Sequence, residues 1–292
     1  MDLTTIFYYT DEFCKLFEKM VEEFTLSSGR NLRKRKSLLT LSEIITIVLY
    51  YQISGYKTFK DYYTKCTELK GAFRKMPSYN RFVELQQKIA LPLIIFLKLR
   101  GLGRCDGYSF IDSFSLSVSH PKRIYSHKTF KGLAARGKTS VGWFYGFKVH
   151  VIINGRGEIL DFLISPGNTA DNNSQIIEKI TKKIHGKVYG DKGYICNPTL
   201  FQSLYNRGIH IVTKLKKNMK NKLMSLSDKI MLKKRGVIES VGAILKEDLN
   251  IEHSRYRSPV SFLVNVCSSL MSYSFRPKKP SIYQKGFRLL TS

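Results

Sequence analysis

Acidic side chains are scarce in this chain. Its 292 residues hold 22 Asp and Glu against 49 Lys and Arg, a formal net charge of +27. A cationic excess of that size repels itself in the folded state and calls for a polyanion, nucleic acid before an anionic membrane surface. Cysteines are few and scattered, at 14, 66, 105, 196 and 267, with no C-x-x-C pair. That spacing excludes a disulfide framework and a structural zinc site, and it suits a reducing compartment. The six histidines show no ligand spacing either. Long apolar runs are also missing: Leu39 to Gln52 is interrupted by Glu43, Ala90 to Leu97 contains Pro92, and Ser258 to Phe275 is loaded with serines. None reaches the roughly 18 apolar residues of a membrane span. The opening MDLTTIFYYTDEF has no basic segment of the kind that starts a secretory signal, so a cytoplasmic location and no membrane partner are expected. Hydrophobic residues make up 43%, enough for a real core.

The first hundred residues read as helical. Thr40 and Glu43 form a capping box ahead of Ile44, Ile45, Ile47 and Val48, a run that stops at Gly55. Arg81 to Leu99 predicts a second helix, bent or interrupted at Pro92. A basic run from Arg30 through Arg33, Lys34, Arg35 and Lys36 fits a solvated linker and a phosphate contact equally well. Gly101, Gly103 and Gly107 then punctuate the chain, which places a boundary between a helical domain, 1–103, and a second domain, 104–292.

Beyond the boundary, strands are expected over Tyr108 to Val118, Phe144 to Ile153 and Ile159 to Ile164, the last two joined by an Asn154-Gly155-Arg156-Gly157 turn. A helix capped at Asn172 or Asn173 carries Ile176, Ile177, Ile180 and Ile184, and ends at Gly186. Val188 to Gly190, a helix from Asn197-Pro198 to Gly208, Ile209 to Leu215, and a long helix over 229–250 complete the order. Three hairpin-joined strands followed by α/β alternation predict an α/β fold, a mixed sheet flanked by helices.

Three carboxylates stand out. Asp112 lies mid-strand, where a lone charge is costly to bury. Asp191 follows a strand end between Gly190 and Gly193. Glu239 lies in the long helix, where steps of roughly 100° place it with Arg235, Gly242 and Lys246 on one stripe. A glycine in that polar stripe suggests a bulky ligand lying against it. The bases gather nearby in sequence. Ser113 to Gly157 contains no acid but holds Lys122, Arg123, Lys128, Lys131, Arg136, Lys138, Lys148 and Arg156, interleaved with Tyr125, Phe130, Trp143, Phe144 and Tyr145. Lys192 follows Asp191, and Lys214, Lys216 and Lys217 open a stretch to Arg235 in which Asp228 is the sole acid. Such a mixture offers phosphate contacts and stacking surfaces together.

Phe110-Ile111-Asp112-Ser113, Gly190-Asp191-Lys192-Gly193-Tyr194 and Arg235-x3-Glu239-x6-Lys246 resemble the signature of DDE transposases of bacterial insertion sequences. His127-Lys128-Thr129-Phe130-Lys131-Gly132, Gly142-Trp143-Phe144-Tyr145-Gly146-Phe147-Lys148 and Ser274-Phe275-Arg276-Pro277-Lys278-Lys279-Pro280 resemble one family of them, insertion sequence nine-eighty-two, as does the opening Met1-Asp2-Leu3-Thr4-Thr5-Ile6-Phe7. Where related transposases often carry a Tyr three residues before the Arg, this chain has Leu232. The resemblance implies a ribonuclease-H-like catalytic domain over 104–292 behind an N-terminal helical domain that binds transposon ends. It implies cleavage of element ends and transfer of the 3′-OH strand to target DNA. Asp112, Asp191 and Glu239 would hold two divalent ions, Mg²⁺ with Mn²⁺ as an alternative, about 4 Å apart. Arg235, Lys246, Lys128, Lys131, Arg136, Lys138, Lys148, Lys192, Lys214, Lys216 and Lys217 would contact DNA, in the terminal inverted repeats and in the target. A homodimer or higher oligomer on DNA, at the bacterial nucleoid, is expected with it. A nuclease of the same fold that cuts without joining, or an inactive DNA-binding descendant, are the alternative readings.

Overall fold

The computed structural model describes residues 1–27, 37–214, 224–252 and 256–283. The basic run at 30–36 and the two lysines Lys216 and Lys217 lie outside the described residues. The chain divides into two compact units, each considered by itself.

The first unit contains α1 (Leu3–Ser27), α2 (Leu41–Ile53), α3 (Phe59–Lys65), α4 (Thr67–Ala72), α5 (Tyr79–Lys88) and α6 (Ala90–Phe96). The capping box predicted at the start of α2 is present: Thr40 accepts from the Glu43 amide and Glu43 accepts from the Thr40 amide. The expected helix over 81–99 is broken at Ile89, three residues before the proline. Pro92 thereby falls in the first turn of α6, where its missing N–H leaves no helix bond unmade.

The second unit is built on one sheet. Among the described residues its strands are β1 (Tyr108–Ser119), β2 (Ala135–Lys138), β3 (Trp143–Asn154), β4 (Ile159–Pro166), β5 (Gly186–Gly190) and β6 (Ile209–Thr213). β1, β3 and β4 are antiparallel, β2 adds to β3 beside β4, and β5 and β6 run parallel to β1 in the order β3-β1-β5-β6. β2 was not foreseen, because its Ala-Arg-Gly-Lys has no apolar alternation to announce a strand. α7 (Ser174–Ile180), capped by Asn173, and α8 (Pro198–Asn206) cover one face. There Ile111, Ile152, Ile177, Ile180, Val188, Tyr194, Leu200 and Leu204 form a buried core.

On the other face lie α9 (Leu226–Lys234) and α10 (Gly236–Ala243), where the sequence predicts one helix over 229–250. The chain turns at Arg235, and a π-helical turn over Ile244–Asp248 follows α10. A constant 100° step therefore does not carry from Arg235 to Lys246. A Cβ on Gly242 would lie 3.8 Å from the Phe114 ring of β1, an ordinary contact, so one side of this partly exposed glycine meets the sheet.

The single boundary expected at 103 divides the chain differently from these units. Residues 245–251 and 256–277 belong with the N-terminal helices. The reason lies in α11 (Pro259–Ser274), whose Ser268, Ser269 and Ser272 are buried and hydrogen-bonded. Gln52 donates to Asn265 Oδ1 at 3.0 Å and Ser268 Oγ at 2.7 Å, and Ser272 donates to the Leu49 carbonyl at 3.0 Å.

Asp228 ties α9 to the sheet. It is buried and accepts from Lys187 Nζ at 2.8 and 3.0 Å, Tyr189 Oη at 2.9 Å and Ser225 Oγ at 2.8 Å. Burial pushes its carboxyl upward, but these donors outweigh burial and hold it below its ordinary value. A depressed carboxyl contributes stability above its unfolded pKa and loses it as pH falls through the folded value. Asp228→Asn is expected to cost about 2–3 kcal/mol at pH 7, since Lys187 loses its partner. Urea melts of both proteins should show that gap closing as pH falls below 3.8, the ordinary aspartate value.

Candidate active site

Asp112 lies within β1, and Asp191 lies just past the end of the neighbouring strand β5. β1 and β5 are parallel, with Phe110 level with Tyr189, and each aspartate lies two residues beyond that pair. Asp191 follows the last residue of β5 and leads into a short 3-10 turn, Lys192–Tyr194. Gly190 makes the turn feasible: a Cβ there would meet Tyr194 Cβ at 2.9 Å and Ile111 Cγ2 at 3.2 Å. The Tyr194 ring folds back over the strand end and is buried, leaving Asp191 exposed.

Arg235 joins the other two carboxylates. From the turn between α9 and α10 its guanidinium donates to Asp112 Oδ2 at 3.1 Å and to Glu239 Oε1 at 2.5 Å. The second Asp112 oxygen accepts the Ser113 amide at 2.9 Å. Burial pushes the Asp112 carboxyl above its ordinary value, the Ser113 amide and Arg235 pull it back, and the Glu239 charge adds to the rise. The surroundings of Asp112 thus compensate its charged form incompletely. Glu239 is mostly exposed. An oxygen-only set of three carboxylates has the donor chemistry of a hard divalent ion such as Mg²⁺. Among the described residues no group of three His, Cys, Asp or Glu is gathered closely enough to hold a metal ion. Arg235 stands as the cation shared by Asp112 and Glu239.

The predicted DNA contacts separate. Lys128, Lys131, Arg136, Lys138, Lys192 and Lys214 are exposed and open to a polyanion. Lys148 is not: its ammonium is mostly buried and pairs with Asp171 at 3.1 Å, which removes it from the surface set. Lys246 lies in the π-helical turn, within the helical unit rather than the unit holding the three carboxylates. Leu232, in the place of the family's Tyr, is buried.

Two acids were not singled out from the sequence. Asp171, in the loop after β4, accepts from Ser113 Oγ at 2.7 Å and from Lys148, and a Cβ on Gly193 would lie 3.4 Å from its Oδ2. It therefore touches the neighbour of Asp112 and the turn that follows Asp191. Nothing in its local pattern marks it. Asp228 did carry a signal, as the lone acid among the nine bases from Lys214 to Arg235.

Antiparallel β1, β3 and β4, with β5 and β6 parallel to β1 and helices on both faces, define a ribonuclease-H-like α/β domain. Residues 102–259, more than half of the chain, match the family described as Transposase DDE domain, and the chain belongs to that family. Asp112, Asp191, Glu239 and Arg235 all fall within the matched span. No curated protein matches the chain. Among solved structures, the Mos1 strand transfer complex is similar over 89% of this chain and 84% of that chain, at 13% identity and a TM-score of 0.25. Among the described residues no helix is long and apolar enough to cross a membrane.

Proposed function

We propose that this transposase cleaves the ends of an insertion sequence and transfers the freed 3′-OH strand to target DNA, with Asp112, Asp191 and Glu239 as the catalytic carboxylates. The observation that carries the reading is the Arg235 bridge between Asp112 and Glu239, beside a strand end that supplies Asp191. Divalent ions held by the three acids, Mg²⁺ or Mn²⁺, would supply activation of water or of the 3′-OH and stabilisation of the leaving oxygen. The protein's own groups do the rest. Arg235 keeps two of the acids together and lowers their mutual repulsion while no other cation is present. Asp171 pins Ser113, and with it the β1 backbone next to Asp112. Lys192 and Lys214 follow the ends of β5 and β6, where a phosphate backbone approaching the acids would meet them. The helical unit would bind the terminal repeats, and two or more copies would hold the two ends together.

The test is an incubation with Mg²⁺, a linear fragment carrying the terminal repeats of the element, and a supercoiled target. Strand cleavage at the repeat ends together with joined product is the expected result. Cleavage without joined product would replace transposition with a nuclease activity. Binding without cleavage would make the chain an inactive descendant.

A further inference from the structure

The hairpin formed by β2 and β3 leaves the chain's single tryptophan at the surface. Trp143 opens β3 and pairs across the ladder with Lys138, while Arg136 pairs with Tyr145. The Trp143 ring is 53% exposed, although Phe144, Tyr145 and Phe147 just beyond it are buried. The Arg136 guanidinium carbon lies 4.5 Å from the ring centroid and Lys138 Nζ lies 5.6 Å from it. The turn beyond is closed by the Thr139 amide donating to the Gly142 carbonyl at 2.8 Å, and Gly142 has φ +152°, a conformation that suits a residue without Cβ. Val141 at its tip is almost fully exposed. No acid occurs in the sequence from Ser113 to Gly157.

The half-exposed indole leaves ring surface open to solvent beside two cations. The partner's chemistry follows from what surrounds the ring. One π-face already receives a guanidinium, and the cations beside it are phosphate ligands. The exposed ring surface fits a flat, electron-rich heterocycle. We propose that Trp143, Arg136 and Lys138 form a stacking site for an unpaired DNA base, with the two cations taking the flanking phosphates. The base must be unpaired because bases inside a duplex already stack on both faces, whereas an unpaired or extruded base presents one freely. The proposal rests on the reading that this chain binds DNA.

Strand geometry also places the site relative to the acids. Residues 143, 145, 147, 149 and 151 of β3 share one face by alternation, and Val151 is the partner of Asp112. Trp143 therefore stands on the same sheet face as Asp112, on the order of 25 Å along the strand at about 3.3 Å per residue. DNA advances about 3.4 Å per nucleotide along each strand, so the stacked base would lie roughly eight nucleotides from a phosphate held at Asp112.

Because the chain has one tryptophan, the wild-type protein reports on this contact directly. Intrinsic emission is followed during titration with a single-stranded thymidine oligonucleotide and with a blunt duplex of equal phosphate count, while the anisotropy of a labelled DNA gives occupancy. Strong quenching by the single strand, with little by the blunt duplex at equal occupancy, is the expected result. Trp143→Leu should weaken single-strand binding about tenfold and leave duplex binding within about twofold, and Trp143→Phe should restore most of the loss. Single-stranded DNA that binds by anisotropy without changing the emission would overturn the proposal, as would equal quenching by both DNAs. If neither DNA raises the anisotropy, the DNA-binding reading fails first and the stacking site falls with it.

Discussion

Asp112→Asn, Asp191→Asn and Glu239→Gln are each expected to reduce Mg²⁺-dependent cleavage of transposon-end DNA to background while end binding stays within about twofold. The three changes are close to isosteric and remove one negative charge each. On the proposed reading affinity for DNA comes from lysines and arginines elsewhere on the domain, so it should survive, or tighten slightly. The site makes a second readout available. If the acids hold divalent ions, Mg²⁺ should raise the thermal midpoint of the wild-type protein, because a ligand that binds only the folded state stabilises it by mass action. That shift should shrink in all three variants. Asp112→Asn is the most informative of them. Its oxygen can still accept the Ser113 amide, but Arg235 then keeps only Glu239 as a charged partner. A variant that cleaves at near the parent rate removes that residue from the catalytic set. Loss of cleavage with an undiminished Mg²⁺ shift would mean that the residue acts without holding metal.

End binding should fall about 10³-fold between 50 and 200 mM monovalent salt. Lys128, Lys131, Arg136, Lys138, Lys192 and Lys214 are exposed, whereas Lys148 is held by Asp171 and Arg235 by two acids. Neutralising about six phosphates releases enough condensed counterions for a slope near −5 in log affinity against log salt. The titration is read by anisotropy at several salt concentrations. A slope nearer −1 would show that the +27 charge of the chain is not organised against DNA. The same experiment on Lys131→Ala and Lys148→Ala separates surface contacts from buried pairs. Lys131→Ala should reduce the slope by about one, and Lys148→Ala should leave it unchanged provided the variant folds.

Much of the sheet was legible in the chain itself, and the three acids proposed as catalytic were singled out there. Strands with regular alternation, an Asn-Gly turn, and helices announced by Asn197-Pro198 or by Thr40 and Glu43 obey local rules: chain geometry and nearest-neighbour hydrogen bonds set them. Asp112 stood out because an acid inside an apolar strand has no local explanation. Local rules failed where a distant partner decides. The serine-rich 259–274 segment became a buried helix because Gln52 and the Leu49 carbonyl meet its polar groups. β2 became a strand because β3 offered its ladder. The expected long helix broke at Arg235, the residue whose guanidinium reaches both Asp112 and Glu239.

The pairing of charges shows the same division. Composition and order alone established a strongly basic α/β chain carrying three isolated acids at recognisable spacings. Which cations remain exposed was decided only by the tertiary structure. Lys148 and Lys131 look alike in sequence, but one meets Asp171 across 23 positions and the other faces water. The physical reason is that an ion pair depends on distance in space and on local burial, and neither is encoded in the spacing of residues along the chain.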